Sequence, residues 1–515
     1  MKDKFFGDGF SIRVITVFLF ILLSAAGLAF SFYLFSVANT TYIWAIALGF
    51  FLLSLLSGFF NVSASILYYR SYFYGIYLER IKKGLKPLTN LPTVAVVVAV
   101  YNEDVTRVKN TLLGLKKMNY PEDKIKFYLL DDSTKENGIN KLSKFSRENK
   151  IEYIHRSARN GFKAGALNNM LSKSGEEFIA IFDYDETLTN PDFLMDTLPY
   201  FQDPKLAYIQ TEKTHRKGNL FSDSVKMFDA FFFKFIEPAR ALNNTAIFAG
   251  SCGIIRRKAL EATKGFPEYI IEDTFFSFES DRMHYKSLYI PKVYALGKPI
   301  KKFTELIKQQ WRYNYGDTQF ISYFFKRRKS LRRSPLSHMD YIVHGFGLNY
   351  ISVTLILFTI ISIFIVFSSV PFVNLTVHQI LQAKYLSTDL EIFGTMSLIL
   401  SFFIPVVLTK IYFHSVKKGF MLFGLNFALA FVRMKAAVAA ILRMNPTVHW
   451  NRQRSSMKKN ILFSIMNTKL ELTFAGAIFV LSYFAIITAH LTGGVWLMWY
   501  GIMYLFTTIF LYKYG

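Results

Sequence analysis

Six apolar runs, each long enough to cross a hydrocarbon layer, frame what this chain can fold into: Ile12–Val37, Tyr42–Tyr69, Tyr341–Val370, Ile392–Leu408, Leu472–Leu491 and Val495–Leu511. A spanning helix needs roughly 20 apolar residues. The first run is too long for a signal-peptide core, and a second follows after the short link Ala38–Thr41, so a retained anchor is expected rather than a cleaved leader. Lys2, Lys4 and Arg13 precede the first run and Arg70, Arg80, Lys82 and Lys83 follow the second, while the link between them is uncharged. The excess of basic residues on the cytoplasmic side of membrane proteins then places the N-terminus and the chain from Arg70 onward inside the cell. Lys410, Lys417 and Lys418 mark a further cytoplasmic loop, as do Arg443, Arg452, Arg454, Lys458 and Lys459. The segment Gly419–Met444 is therefore basic at both ends and carries Arg433 and Lys435 within. It reads as a helix lying in the interface, with a true span as the alternative.

The expected plan is a multi-pass protein of the cell membrane with about six crossings. Residues 1–90 hold two membrane helices, 91–300 a cytoplasmic domain, 301–340 interfacial helices, and 341–515 four membrane helices with the interfacial helix at about 419–444. Composition agrees: 52% apolar residues are too many for an ordinary soluble protein, and 19% charged residues too many for a bundle of spans alone. The net charge of +25 is concentrated beside the spans, as at Lys326–Lys329 and Arg332–Arg333. That distribution suits contact with anionic membrane lipids and, with no nucleic-acid-binding motif beside it, excludes nucleic acid as the partner. The single cysteine, Cys252, rules out an internal disulfide and reads as a small buried residue.

Within 91–300 the texture changes. Thr93–Val100 is a β-branched run ending in Tyr101-Asn102-Glu103. Lys126–Leu130 ends in Asp131-Asp132-Ser133, and Phe178–Phe182 in Asp183-Tyr184-Asp185. Helical spacing falls between them, at Asp104–Lys117 and Lys163–Ser172. Strands alternating with helices imply an α/β domain with a mainly parallel, Rossmann-like sheet, and in such sheets ligands bind beyond the carboxyl ends of the strands. Asp183 and Asp185, two apart at a strand end, point to one side and suit a hard divalent cation with oxygen ligands. Further on, Ile270-Ile271-Glu272-Asp273 places an acidic pair after an apolar stretch, which by itself could equally start a helix. Gln309-Gln310-Trp311-Arg312-Tyr313 lies in a helical segment, with donors suited to diphosphate oxygens. His155, His215 and His284 show no ligand spacing, and Phe228–Phe235 reads as a packed or membrane-facing stripe.

In this order and spacing, Val100-Tyr101-Asn102-Glu103, Asp131-Asp132-Ser133, Lys163-Ala164-Gly165-Ala166-Leu167-Asn168, Asp183-Tyr184-Asp185, Gly250-Ser251-Cys252-Gly253, Glu272-Asp273 and Gln309-Gln310-Trp311-Arg312-Tyr313 resemble the membrane-embedded family 2 glycosyltransferases, which are similar to cellulose and hyaluronan synthases. The resemblance implies a GT-A domain, a nucleotide-sugar donor and Mn2+ or Mg2+. Carried over by position, it puts Tyr101 and Glu103 at the nucleotide base and Asp132 at the nucleoside. Lys163, Gly165, Asn168 and Glu272 fall around the donor, Gln309, Gln310 and Arg312 on the diphosphate, and Trp311 and Tyr313 at the acceptor. Asp183 and Asp185 bracket the metal, Asp185 the more directly, and Asp273 is the general base. Where the family usually ends in Arg-Trp, this chain has Arg312-Tyr313. Val448–Arg454 resembles in position a gating loop of polymer-secreting relatives, although a plain basic loop is equally compatible.

The chemistry implied is a hexosyltransferase-type, inverting transfer. A cation with Lys163 and Arg312 neutralises the diphosphate leaving group, and a base takes the acceptor proton from the opposite face. The acceptor is either a growing polysaccharide, which the chain would also thread outward, or a single lipid carrier such as a polyprenyl phosphate or diacylglycerol. A transporter with a regulatory domain is a remote alternative, since the spans are nearly free of ionisable groups.

Overall fold

The structure, a computed structural model, describes residues 10–36, 38–331, 334–368, 406–444, 461–488 and 490–515. The loop around Val448–Arg454 and most of the Ile392–Leu408 run lie outside the described residues.

Two long helices, α1 (Phe10–Ser36) and α2 (Thr41–Gly84), lead into an α/β domain. Its strands are β1 (Val94–Val100), β2 (Ile125–Asp131), β3 (Glu152–His155), β4 (Phe178–Asp183), β5 (Thr187–Leu188), β6 (Leu206–Thr211), β7 (Thr214–His215), β8 (Gly253–Arg256), β9 (Lys286–Ile290) and β10 (Ala295–Gly297). Three of its helices position the site: α3 (Val105–Leu115), α4 (Phe162–Leu171) and α5 (Glu272–Arg282). After the domain come α6 (Phe303–Arg327), α7 (Pro335–Val366), α8 (Val416–Ile441), α9 (Lys469–Ile487) and α10 (Leu491–Tyr514).

Seven strands form one sheet in the order β3-β2-β1-β4-β8-β6-β9. β3, β2, β1 and β4 run parallel, as their alternation with helices predicts, and β8 is inserted antiparallel between β4 and β6. The central strands are apolar on both faces because both are covered. Val94, Val96, Val98 and Phe182 pack on one side with Leu112 of α3, and Ala95, Val97 and Ile181 on the other with Ala164 and Leu167 of α4.

Among the described residues, six helices are long and apolar enough to cross a membrane: Val14–Ser36, Thr41–Gly84, Asn349–Val366, Val416–Ile441, Lys469–Ile487 and Gly493–Tyr514. The difference from the charge-based plan is α8. Loop charges assign this segment to the interface, yet its apolar window is 67% buried, more than that of any other of the six. Its charges are answered inside the protein: Arg433 donates to Gln310 Oε1 (2.9 Å) and Asn426 Oδ1 (3.2 Å), and Lys435 pairs with Glu471 (3.4 Å). A cation satisfied within the bundle says nothing about which loop is inside, so these charges alone do not decide between a helix in the interface and a span.

Asp340, at the start of α7, ties three parts of the chain together. Arg70 of α2 grips its two carboxylate oxygens (2.8 and 3.0 Å), Thr245 Oγ1 donates to it (2.7 Å), and Arg240 donates to its carbonyl (2.6 Å). The Arg70 and Asp340 side chains are 8% and 0% exposed. Removing one partner of such a pair leaves an uncompensated buried charge. Arg70→Leu is therefore expected to lower unfolding stability by about 3–5 kcal/mol in a denaturation series on the detergent-solubilised protein. Asp203→Ala, which breaks the exposed Asp203–Lys286 pair, should cost less than about 1 kcal/mol.

Candidate active site

The sheet register brings three acidic strand ends to one edge. Val100 pairs with Asp131 and Ala99 with Asp183, so the residues just beyond β1, β2 and β4 emerge side by side. Asp183 is the centre. Its Oδ1 accepts from Lys163 Nζ (2.8 Å), and its Oδ2 lies 3.3 Å from Lys213 Nζ and 2.8 Å from Ser251 Oγ. Lys163, in the first turn of α4, also donates to the carbonyl of Gly250 (2.9 Å). Glu186, 3% exposed, backs the group: its carboxylate accepts the Asp183 N–H (2.9 Å) and lies 2.7 Å from Ser251 Oγ.

Gly250 joins this cluster to the second acidic motif. Its φ is +77°, and a Cβ there would stand 2.8 Å from Asp273 Oδ2 and 3.9 Å from Lys163 Nζ. Asp273 thus faces Lys163 across a backbone that only glycine fits. Asp273 begins α5, where its Oδ1 accepts the Thr274 N–H (2.8 Å). On α6, Gln309 Nε2 lies 3.3 Å from the Tyr313 hydroxyl, and the Arg312 guanidinium stands 5.5 Å from the Tyr313 ring. Arg312 is also close enough to Glu272 and Asp273 to act on both electrostatically.

The charge states follow from these contacts. Burial would raise the Asp183 carboxyl, but the ammoniums of Lys163 and Lys213 outweigh it and hold its pKa far below the usual range. Burial and the Asp183 charge push Asp185 up. Burial and Asp273 push Glu272 up. Burial raises Asp273 as well, against the Thr274 N–H and the charges of Lys163, Arg312 and Lys213. Glu103 is raised by burial, with Asp185 adding, and Tyr184 bonds it.

The donor set fits Mn2+ or Mg2+ in one particular form. Among the described residues no group of three or more His, Cys, Asp or Glu side chains could hold a metal ion. A cage made wholly of protein is therefore not offered. Mg2+ needs none: one or two carboxylates plus substrate phosphate oxygens suffice. Among the described residues Asp185 makes no ion pair, and burial together with the Asp183 charge raises it, the second of which a cation would relieve; Asp183, committed to two lysines, would stand behind it.

Other expected site residues are placed differently. Asp132 is held by Arg156 through two contacts (2.8 and 2.6 Å), and Arg156 also donates to the Phe162 carbonyl beside Lys163. Tyr101, at the edge, is covered by the Arg159 guanidinium at 3.5 Å. Gly165 serves packing, because a Cβ would fall 2.0 Å from the Asn160 carbonyl oxygen. Asn168 is spent on the Phe266 backbone, donating to its carbonyl (2.9 Å) and accepting from its N–H (2.8 Å), which fixes the loop before α5. Gln310 is buried against α8 through Arg433, and Trp311 packs with Tyr315, Ala436 and Ala440. Neither joins Arg312 and Tyr313. The residues that the sequence did not single out are Glu186, Lys213 and Arg156; Ser251 stands in the Gly250–Gly253 motif but had no role there. Lys213 follows the buried strand β6, and reading Leu206–Thr211 as a strand would have put it at the same sheet edge.

Residues 95–263 match the family model described as glycosyl transferase family 2. The chain carries a family 2 glycosyltransferase domain. The match stops short of Asp273 and the α6 motif. The chain is 31% identical over 238 residues to a cellulose synthase catalytic subunit [UDP-forming] of Pseudomonas fluorescens, covering 45% of this chain and 32% of that protein. It is 30% identical over 241 residues to cellulose synthase 2 of Novacetimonas hansenii, covering 45% of this chain and 15% of that one. The chain thus matches a third or less of the length of these relatives. A solved mannosyltransferase of Pyrobaculum calidifontis, in complex with GDP-Man and Mn2+, covers 74% of this chain and 100% of its own at 17% identity and a TM-score of 0.48.

Gly250→Ala tests the junction between the two acidic motifs of this glycosyltransferase domain. The positive φ and the 2.8 Å approach to Asp273 Oδ2 should cost about 1–3 kcal/mol of stability. Displacing Asp273 should lower donor turnover on the order of 100-fold, measured as nucleoside diphosphate released from a sugar nucleotide.

Proposed function

We propose that this protein moves a sugar from a nucleotide-sugar donor, a UDP-sugar first of all, to a growing polysaccharide at the cytoplasmic face of the membrane by one inverting displacement. The observation that carries this reading is the convergence of Lys163, Lys213 and Arg312 beside a raised-pKa Asp273, at the carboxyl edge of a sheet inside a family 2 domain. The printed names of the relatives, cellulose synthases and in part UDP-forming ones, support the donor and the product class.

Each side chain then has a task. Tyr101 and Glu103 line the base, and Asp132, steadied by Arg156, faces the nucleoside. Lys163 and Lys213, held at the strand end by Asp183, offer positive charge to the diphosphate, with Gln309 and Arg312 opposite. Asp185, backed by Asp183, would hold Mn2+ or Mg2+, which when bound neutralises charge building on the leaving group. Asp273 takes the proton of the attacking hydroxyl, and Tyr313 offers a ring to the acceptor sugar. Gln310 and Trp311 serve by seating α6 on the bundle.

A panel of sugar nucleotides, scored for released nucleoside diphosphate and for product mass, tests the reading. Turnover with a UDP-sugar and a product of high mass are expected, and a product wholly extractable into organic solvent would contradict the polymer assignment. Asp185→Asn and Asp273→Asn should each lower turnover by roughly 100-fold or more while expression is kept; unchanged turnover in both would end the reading. Because burial raises the Asp273 pKa, the base is protonated at higher pH than an ordinary carboxylate. Turnover should therefore fall on the acid side with a midpoint above the usual aspartate value of about 3.9, and an acid limb at or below that value would contradict the assignment.

A further inference from the structure

Among the described residues Arg159 makes no hydrogen bond and no ion pair. A guanidinium carries five donors and normally spends them on carboxylate, phosphate or carbonyl oxygens. This one lies instead on two aromatic faces, 3.5 Å from the centre of the Tyr101 ring and 5.1 Å from that of Phe162. Both aromatic residues are exposed, Tyr101 by 37% and Phe162 by 44%.

The scaffold around the three side chains is fixed, which leaves Arg159 as the part free to move. Beyond β1, Asn102 staples its loop to the one beyond β2: its N–H donates to Ser133 Oγ (2.7 Å), and its Oδ1 accepts from the Thr134 and Lys135 N–H groups (3.0 and 3.3 Å). Beyond β3, Arg156 holds Asp132 and donates to the carbonyls of Asn160 and Phe162 (both 3.0 Å). Gly161 and Phe162 close that turn with φ of +70° and +50°. The second is a left-handed conformation that a residue with a side chain adopts only under constraint. At Gly161 a Cβ would stand 2.7 Å from the Glu268 carboxyl carbon. The strained turn thus holds the Phe162 ring against the same guanidinium that covers Tyr101. A planar cation at van der Waals distance from a ring uses the face on which a nucleobase would stack. The two cannot occupy that face together.

We propose that Arg159 is a displaceable cover of the nucleobase slot: without nucleotide its guanidinium lies on the Tyr101 face, and an entering base must push it off. The proposal rests on Tyr101 lining the base, as in the function proposed above. Displacement breaks no hydrogen bond and no ion pair, only a cation–π contact that is weak at an exposed site. The cover lowers the apparent affinity for the base by the fraction of molecules in which the face is taken.

The probe is uridine, which carries base and ribose without phosphate, so that loss of a positive charge alone leaves its affinity unchanged. It is titrated by calorimetry into the full-length protein in detergent, with UDP and thermal melting in parallel. Arg159→Gln should bind uridine about three- to fivefold more tightly than the parent and melt at the same temperature. In a Tyr101→Ala background the same substitution should bring no gain, because the covered face is gone. Equal or weaker uridine binding in Arg159→Gln overturns the proposal, as does a gain that persists without Tyr101. UDP binding by the parent, with uridine bound by neither protein, also overturns the cover and leaves the nucleotide reading intact. A parent that binds neither UDP nor uridine sinks the nucleotide-sugar reading itself, and the cover with it.

Discussion

The Asp183 carboxylate, shared between Lys163 and Lys213, is the interaction on which the arrangement of the site depends. β4 delivers it to the sheet edge, α4 delivers Lys163, and the chain leaving β6 delivers Lys213. An unpaired lysine at a half-buried edge would lose charge or swing out to water. The acid at the strand end keeps both ammoniums charged and aimed at one place. Glu186 and Ser251 lock the acid itself. Gly250, whose carbonyl Lys163 also holds, lets Asp273 approach the same lysine. Positive charge and a raised-pKa base are thereby set next to each other without neutralising one another by direct contact.

The site is also tied to the membrane part of the chain. α6 carries Arg312 and Tyr313 toward the domain and Gln310, Trp311 and Tyr315 toward α8, so one helix presents chemistry on one face and anchorage on the other. The Arg70–Asp340 clamp does the same for α2 and α7. A displacement of the bundle would therefore move Arg312 relative to Asp183.

Much of this was legible from strand ends. The runs read as strands before Tyr101, Asp131 and Asp183 are observed as β1, β2 and β4 to within a residue or two, because parallel strands covered on both faces are nearly continuously apolar. The antiparallel insertion of β8 was not legible, since a strand of four residues, Gly253–Arg256, carries too little periodicity to be read. With β6 and β8 unread, Lys213 and Ser251 had no place at the edge. The string Gln309–Tyr313 misleads in another way. At 100° per residue, five successive helical residues cannot face one ligand, and Gln310 and Trp311 are turned to α8. Asn168 matches its motif in letters, yet its amide is consumed by the Phe266 backbone.

With Asp183 committed to lysines and Asp185 the carboxylate left for a cation, a metal should bind here only when a nucleotide completes its shell. Mn2+ binding to the full-length protein, followed by electron paramagnetic resonance with and without UDP, measures this directly. Mn2+ held tightly only in the presence of UDP, and lost in Asp185→Asn, is the expected result. Mn2+ bound equally well without nucleotide, or unaffected by the loss of Asp185, would contradict it.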